Sequence, residues 1–382
     1  MKRILIVGGV YDKHAYRFIS HLKKEDKNLR IDILSYEKKE ESPECAKFCE
    51  TVYKPTLFLK KLYKIKKIGT FFQAIDFKRN LKQLVSRGVH YDVILILWVD
   101  PRNMFAINIY KKIGRNIILV PLGSDVLRTS KLSHKFLMPC YQKADYIALP
   151  PAGFQQTVKQ LFHIKDSKIV TLDFGSDQID TLLNSKISRL EAKKELGITE
   201  KYVITIGYNA AKAQNHLMIL EQLVQVKKQL PENLFLILPM TYPKSPVLEE
   251  YITKVKAYLN NIGFNYRIFE NYLDEKQLIL LRKCSDIFIH AQTTDANCAT
   301  IFEYLLSDCT TLNGNWLHYP ELEKYNMPYF TFNSIKDLGS CLIKAIKNPE
   351  QHKPSLCLIN DMAQKGWNYQ IKLWIEFLNS LQ

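Results

Sequence analysis

The sequence predicts an α/β chain of two doubly wound, parallel-sheet domains, and three observations carry that reading. Apolar runs of strand length recur along it, among them ILIVGGV at 4–10, DVILILWV at 92–99, YVITI at 202–206 and IFI at 287–289. Runs without polar alternation suit strands covered on both faces, as in a parallel sheet. Stretches of helical pattern separate them, which is the order of βαβ units. At 382 residues the chain has room for two domains of ordinary size.

The first strand, 4–10, ends in Gly8-Gly9, a pair that permits a tight turn and close backbone approach to a ligand. It lacks the G-x-G-x-x-G spacing of a dinucleotide site. Tyr11, Asp12 and His14 follow on the loop, where a doubly wound sheet places functional groups. A second strand is expected at 31–34, then the strand 92–99, a helical stretch at 104–113 and a strand at 116–120. The turn after it, Gly123-Ser124-Asp125, either presents Ser124 and Asp125 to a ligand cleft or caps a helix, and residue type alone leaves both readings standing. A strand at 146–149 is stopped by Pro150-Pro151, and the segment 170–177, VTLDFGSD, closes the first series with a second Gly-Ser-Asp. The domains are expected at 1–185 and 186–360, with 361–382 as a C-terminal helix packing back towards the first domain.

The second series opens with the strand 202–206 and runs directly into Gly207-Tyr208-Asn209-Ala210-Ala211-Lys212, with His216 four residues further on. A glycine at a strand end followed by a lysine near a new helix makes a diphosphate cradle, with Lys212 as a point charge for the leaving phosphates. Strands at 234–238 and 266–269 and helices at 247–259 and 275–282 lead to the segment Cys284–Asn313. There the strand 287–289, a polar loop 292–297 and a helix 299–306 follow one another, with Asn297 as the expected N-cap. Free N–H groups at Ala299 and Thr300 form an anion site at the positive end of the helix dipole. Asp295 stands in the loop and Glu303 eight residues on, roughly two helical turns deep. A strand near 328–332, a helix at 335–347 and an amphipathic helix over 367–381 complete the chain.

Composition narrows the function. The net charge of +16 is uneven: residues 1–185 carry 32 Lys/Arg against 18 Asp/Glu, and the remaining 22 basic and 20 acidic residues leave +2. Lys54–Arg87 holds ten basic residues and one acid, Asp76, interleaved with Leu57, Phe58, Leu59, Leu62, Tyr63, Phe71 and Phe72. Such a mixture suits an anionic membrane surface. A solvated helical face is the plain alternative, and nucleic acid ranks last because no nucleic-acid motif accompanies the charge. No apolar run reaches the ~18 residues of a membrane span. The apolar stretch near the N-terminus is too short for a signal peptide. Eight scattered cysteines form no C-x2-C pair or Cys/His cluster, so no zinc site is expected and a reducing cytoplasm fits.

These landmarks resemble GT-B glycosyltransferases over nearly the whole length. Asp295 and Glu303 are similar to the E-x7-E signature, with Asp in the first place. Gly207, Lys212, His216 and the run Pro239-Met240-Thr241-Tyr242-Pro243 resemble the Fuc4NAc transferase of enterobacterial common antigen. The resemblance implies two Rossmann-like domains facing a central cleft. It further implies transfer of a sugar from a nucleotide-sugar to a polyprenyl-diphosphate-linked glycan at the inner face of the cell membrane, with no metal or other cofactor. The basic 54–87 segment would dock on the membrane. Gly207, Asn209, Lys212, His216, Ala299, Thr300 and Glu303 would hold the donor, with Glu303 on the ribose and Asp295 orienting the sugar. Gly8, Gly9, Gly123 and Ser124 would line the acceptor side, and Asp12, His14 and Asp125 are the candidates for a general base. The loop departs from the family in having Ala296, Asn297, Cys298 and Ala299 where glycines are usual. E-x7-E families retain anomeric configuration whereas the Fuc4NAc transferases are inverting, and the chain carries features of both. Two other functions fit the same fold: a non-catalytic nucleotide-sugar-binding scaffold and a sugar-nucleotide epimerase.

Overall fold

A computed structural model describes residues 2–39, 43–65, 68–150, 153–295 and 299–381. The chain divides into two compact units, Met1–Gly175 with Trp367–Gln382, and Ser176–Gly366. The sequence-derived boundary at 185/186 falls inside the second unit, just after a helix at Asp177–Asn184.

The first unit holds seven parallel strands: β1 (Arg3–Gly8), β2 (Arg30–Ser35), β3 (Thr51–Tyr53), β4 (Tyr91–Leu97), β5 (Gly114–Val120), β6 (Tyr146–Leu149) and β7 (Ile169–Thr171). Their spatial order is β3-β2-β1-β4-β5-β6-β7. Strand order therefore reverses between β1 and β4, the switch point at which doubly wound sheets bind ligands. Gly8 closes β1 at φ 137°, and a Cβ there would run into the Leu97 carbonyl at the end of β4. Only glycine lets the two strand ends approach so closely.

The apolar runs read from the sequence are the interior of this sheet: Ile4, Ile6, Ile31, Ile33, Val93 and Leu95 are fully buried. The helix Trp367–Ser380 packs on the same core through Trp367, Ile371, Trp374 and Leu378, the side of the helix that its apolar spacing marks out. Trp374 also donates from Nε1 to the Asp173 carbonyl at 2.8 Å. Each fully buried side chain of this size contributes roughly 1.5–3 kcal/mol of apolar burial.

The second unit repeats the plan with six parallel strands: β8 (Tyr202–Ile206), β9 (Leu234–Pro239), β10 (Asn265–Phe269), β11 (Ile287–His290), β12 (Thr310–Gly314) and β13 (Phe330–Phe332). Their order is β10-β9-β8-β11-β12-β13, with the switch point between β8 and β11. Three strands escape sequence reading. β3 and β7 are only three residues long, and β12 opens on Thr310-Thr311 and includes Asn313. Thr311 and Asn313 are nonetheless buried.

Candidate nucleotide-sugar site

The ends of β8 and β11 lie side by side, with Gly207 N–H bonded to the Ile289 carbonyl at 3.0 Å. Beyond them the two loops are stitched together. Thr293 donates its N–H to the Ala213 carbonyl at 2.9 Å, and Asn215 Nδ2 donates to the Ala291 carbonyl at 2.7 Å. Gly207 adopts φ 63°, and an added Cβ would meet Gln214 Oε1 at 2.8 Å and His216 Nε2 at 3.2 Å. Asn209 Oδ1 accepts from the Ala211 N–H at 2.9 Å and shapes the turn. Lys212 is exposed on it, its Nζ 5.9 Å from the Tyr251 ring centroid. The switch point thus joins the Gly207–Lys212 loop to the loop that carries Asp295.

His216 is fully buried at the start of a helix, His216–Gln225. Burial depresses its pKa to about 4, so the ring is neutral near pH 7. It therefore adds no charge to the site, and the cation of this loop is Lys212.

Beneath the loops lies a polar network that sequence reading missed. Gln292 Oε1 accepts from Tyr208 Oη at 2.6 Å and from Gln214 Nε2 at 2.5 Å. Its Nε2 donates to the Thr294 carbonyl at 2.6 Å, and its own carbonyl accepts from Trp316 Nε1 at 2.7 Å. Asp295 Oδ2 accepts from Tyr319 Oη at 3.0 Å. That hydroxyl lies 2.8 Å from Nε2 of the buried His290. With the tyrosine proton given to Asp295, the Tyr319 oxygen is placed to accept from His290 Nε2. Asp295 is thereby held in place on the loop that follows β11.

A helix is described over Ala299–Leu306, the stretch in which the sequence predicts one. Asn297, its expected N-cap, lies outside the described residues with Ala296 and Cys298. Ala299 is exposed and Thr300 half-buried. Glu303 points into the unit. Its Oε2 accepts from Arg282 Nε at 2.9 Å and its Oε1 from Ser176 Oγ at 3.3 Å. Arg282 also donates from Nη1 to Tyr304 Oη at 2.9 Å.

The first-unit candidates divide by role. Asp12 caps the helix Lys13–Glu25, its Oδ1 accepting from the His14 N–H at 2.7 Å. Asp125 is buried and ties two loops together, with Oδ2 on the Val99 N–H at 2.8 Å and Oδ1 on the Leu122 N–H at 2.9 Å. Burial raises its pKa to about 6. Gly123, at φ 98°, precedes a short helix that begins at the half-buried Ser124. Gly9 lies beyond β1 and is half-buried, and His14 is exposed.

In the basic segment Asp76 is buried, accepting from the Leu59 N–H and from Tyr63 Oη, both at 2.7 Å. The surface of Lys54–Arg87 therefore shows cations beside the exposed Phe58, Ile65, Ile68 and Phe71, with its one acid withdrawn. Among the described residues no helix is long and apolar enough to cross a membrane, and no group of three or more His, Cys, Asp or Glu side chains is placed to hold a metal ion.

No family model matches the chain, and no curated protein matches it in sequence. Solved structures match it over its full length. The Anabaena protein HepE in complex with UDP and glucose superposes with a TM-score of 0.73 at 12% identity, covering 100% of both chains. Sucrose-phosphate synthase from Thermosynechococcus elongatus gives 0.70 at 12%, over 100% of this chain and 99% of that one. These are GT-B proteins. The fold is GT-B. The UDP-forming trehalose-phosphate synthase of Burkholderia xenovorans shares it, with a TM-score of 0.68 at 10% identity over 100% and 99% of the two chains. In GT-B terms, the β8/β11 switch point belongs to the second Rossmann-like unit.

Proposed function

We propose that this protein is a metal-independent glycosyltransferase that moves a sugar from a uridine nucleotide-sugar to a polyprenyl-diphosphate-linked glycan in bacterial surface polysaccharide synthesis. The observation that carries the reading is the joining of the Gly207–Lys212 loop to the Asp295 loop and its helix at the switch point of a GT-B fold. Uridine is chosen because the solved HepE structures hold UDP and UDP-glucose.

In the reaction, the bond between the sugar C1 and the β-phosphate oxygen breaks, and the diphosphate departs with the electron pair. The acceptor hydroxyl oxygen bonds to C1 and gives its proton to a base. Lys212 and the N–H groups at Ala299 and Thr300 stabilise the charge that develops on the diphosphate. Asp295, fixed by Tyr319 and His290, orients the sugar. Glu303 keeps lone pairs beyond those taken by Arg282 and Ser176, and accepts from the ribose hydroxyls. Asp125 is buried with both oxygens on backbone N–H groups, which leaves the exposed Asp12 and His14 as the candidates for the base of an inverting reaction. The basic, aromatic surface of 54–87 brings the protein to the inner face of an anionic membrane, where the acceptor resides.

One observation favours a second reading, a nucleotide-sugar-binding scaffold: two of the three base candidates have structural work. An epimerase would have no use for the cationic apolar surface. Incubation with radiolabelled UDP-sugars and a lipid-linked glycan separates the readings. Label should pass to the lipid with wild type and not with Lys212→Ala. Binding of UDP with no transfer from any of the UDP-sugars would establish the scaffold.

A further inference from the structure

The first unit contains a cavity of about 340 Å³ at the C-terminal ends of β2 and β3, beside the loop after β4. Its apolar wall is made by Pro55, Leu57 and Phe77, and Lys38, Lys39 and Arg102 line it as well. The polar groups in this lining are largely committed. Asn80 accepts from the Thr56 N–H at 2.8 Å and donates from Nδ2 to the Thr56 and Asp76 carbonyls at 3.0 and 2.8 Å. Tyr63 Oη donates to Asp76, and Tyr36 Oη accepts from Asn103 Nδ2 at 2.6 Å. Arg102 stacks 4.2 Å from the centroid of the Tyr36 ring and directs Nε and Nη2 to Asp100.

A sugar needs donors and acceptors around its hydroxyls, and these walls have few left to give. Hydrocarbon surface and cations remain. Glu37 pairs with Lys39 at 3.2 Å and Asp100 with Arg102, and among the described lining residues the cations Lys38, Lys39 and Arg102 outnumber the acid Glu37. The same chain segment that supplies Pro55 and Leu57 continues into the exposed Phe58, Ile65 and Ile68 among lysines. Apolar residues therefore continue along the sequence from the cavity wall to exposed positions.

We propose that this cavity seats the phosphate end of an isoprenoid chain, with the hydrocarbon on Pro55, Leu57 and Phe77 and the phosphate against Lys38, Lys39 and Arg102. The assignment rests on the lipid-linked acceptor reading and gives that acceptor a place on this unit. The volume admits only the first part of a long chain, so the remainder stays in the bilayer. Selectivity for a chain and a phosphate together follows, because either alone meets only half of the lining.

The test is calorimetric titration of the full-length protein with farnesyl diphosphate, farnesol and inorganic diphosphate, repeated for Leu57→Glu and for the Lys38→Ser/Lys39→Ser pair. Farnesyl diphosphate should bind at least tenfold more tightly than either fragment, and both variants should lose that preference. Equal binding of inorganic diphosphate would make this a free-phosphate site and overturn the proposal, as would unchanged farnesyl diphosphate affinity in both variants. UDP titrated into the same samples separates the two readings. A variant whose urea-unfolding curve matches that of wild type is folded in both units, and a donor site that binds UDP while farnesyl diphosphate fails to bind refutes the cavity assignment alone. Leu57 lies on a half-buried loop position, and the lysine pair provides a second variant should Leu57→Glu fail to fold.

Discussion

Arg282 and Glu303 form a buried ion pair, Nε to Oε2 at 2.9 Å, with both side chains only 6% exposed. The pair joins the helix Glu275–Cys284 to the helix that follows the Asp295 loop, so it fixes the depth and rotation of that helix. Removing one partner strands a buried charge, which costs about 3–5 kcal/mol. Arg282→Met should lower the urea midpoint accordingly, and Arg282→Met/Glu303→Leu should recover most of the loss. A single variant as stable as wild type would show that the pair does not order the helix.

Lys212 acts on charge that appears only as the diphosphate leaves. Lys212→Ala should reduce kcat by about 100-fold or more, the scale for loss of one preorganised charge-stabilising group. The melting temperature without ligand should not change, since the side chain is exposed. Steady-state kinetics and a melting curve on the same preparation check both.

Gly207→Ala places a Cβ on a residue at φ 63° against Gln214 and His216. Backbone strain of this kind costs on the order of 1–3 kcal/mol. A lower urea midpoint together with weakened UDP binding is expected, because the distortion falls on the phosphate loop itself.

These sites were unequally legible. The helix Ala299–Leu306 and the loop before it stand out because strand, polar loop and apolar helix follow one another without interruption. β12 does not, because buried threonine and asparagine carry no apolar signal. Gln214 and Gln292 lie 78 residues apart, and only the adjacency of β8 and β11 brings them together. His290, Tyr319 and Asp295 meet because β11 and β12 are neighbours in the same sheet. Asp12 and Asp125 illustrate the converse. A carboxylate on a loop after a strand has the residue type of a base and of a backbone-capping group alike, and only the fold shows that Asp125 holds the Val99 and Leu122 N–H groups.

His216 gives stability a pH signature. Its folded pKa, about 4, lies below the ordinary histidine value, so the unfolded chain takes up a proton first as pH falls. The contribution is fully present above about pH 6.5 and is lost as pH drops towards 4, amounting to about 3 kcal/mol. Urea midpoints of wild type should fall over this window more steeply than those of His216→Gln.

The charge of 54–87 should govern membrane association. Lys60→Glu/Lys61→Glu/Lys64→Glu should reduce co-sedimentation with anionic vesicles at least tenfold, given about 1 kcal/mol per basic residue near such a surface. Binding to neutral vesicles should be weak for both proteins, and high salt should release wild type.

The donor site is tested most directly by calorimetric titration of the wild-type protein with UDP in the absence of added metal, alongside Lys212→Ala and Glu303→Gln. The expected result is one site per chain, weakened at least tenfold in each variant, with GDP and CMP binding less tightly than UDP. Absence of UDP binding at millimolar concentration, or binding indifferent to both substitutions, would contradict a uridine nucleotide-sugar site at the β8/β11 switch point.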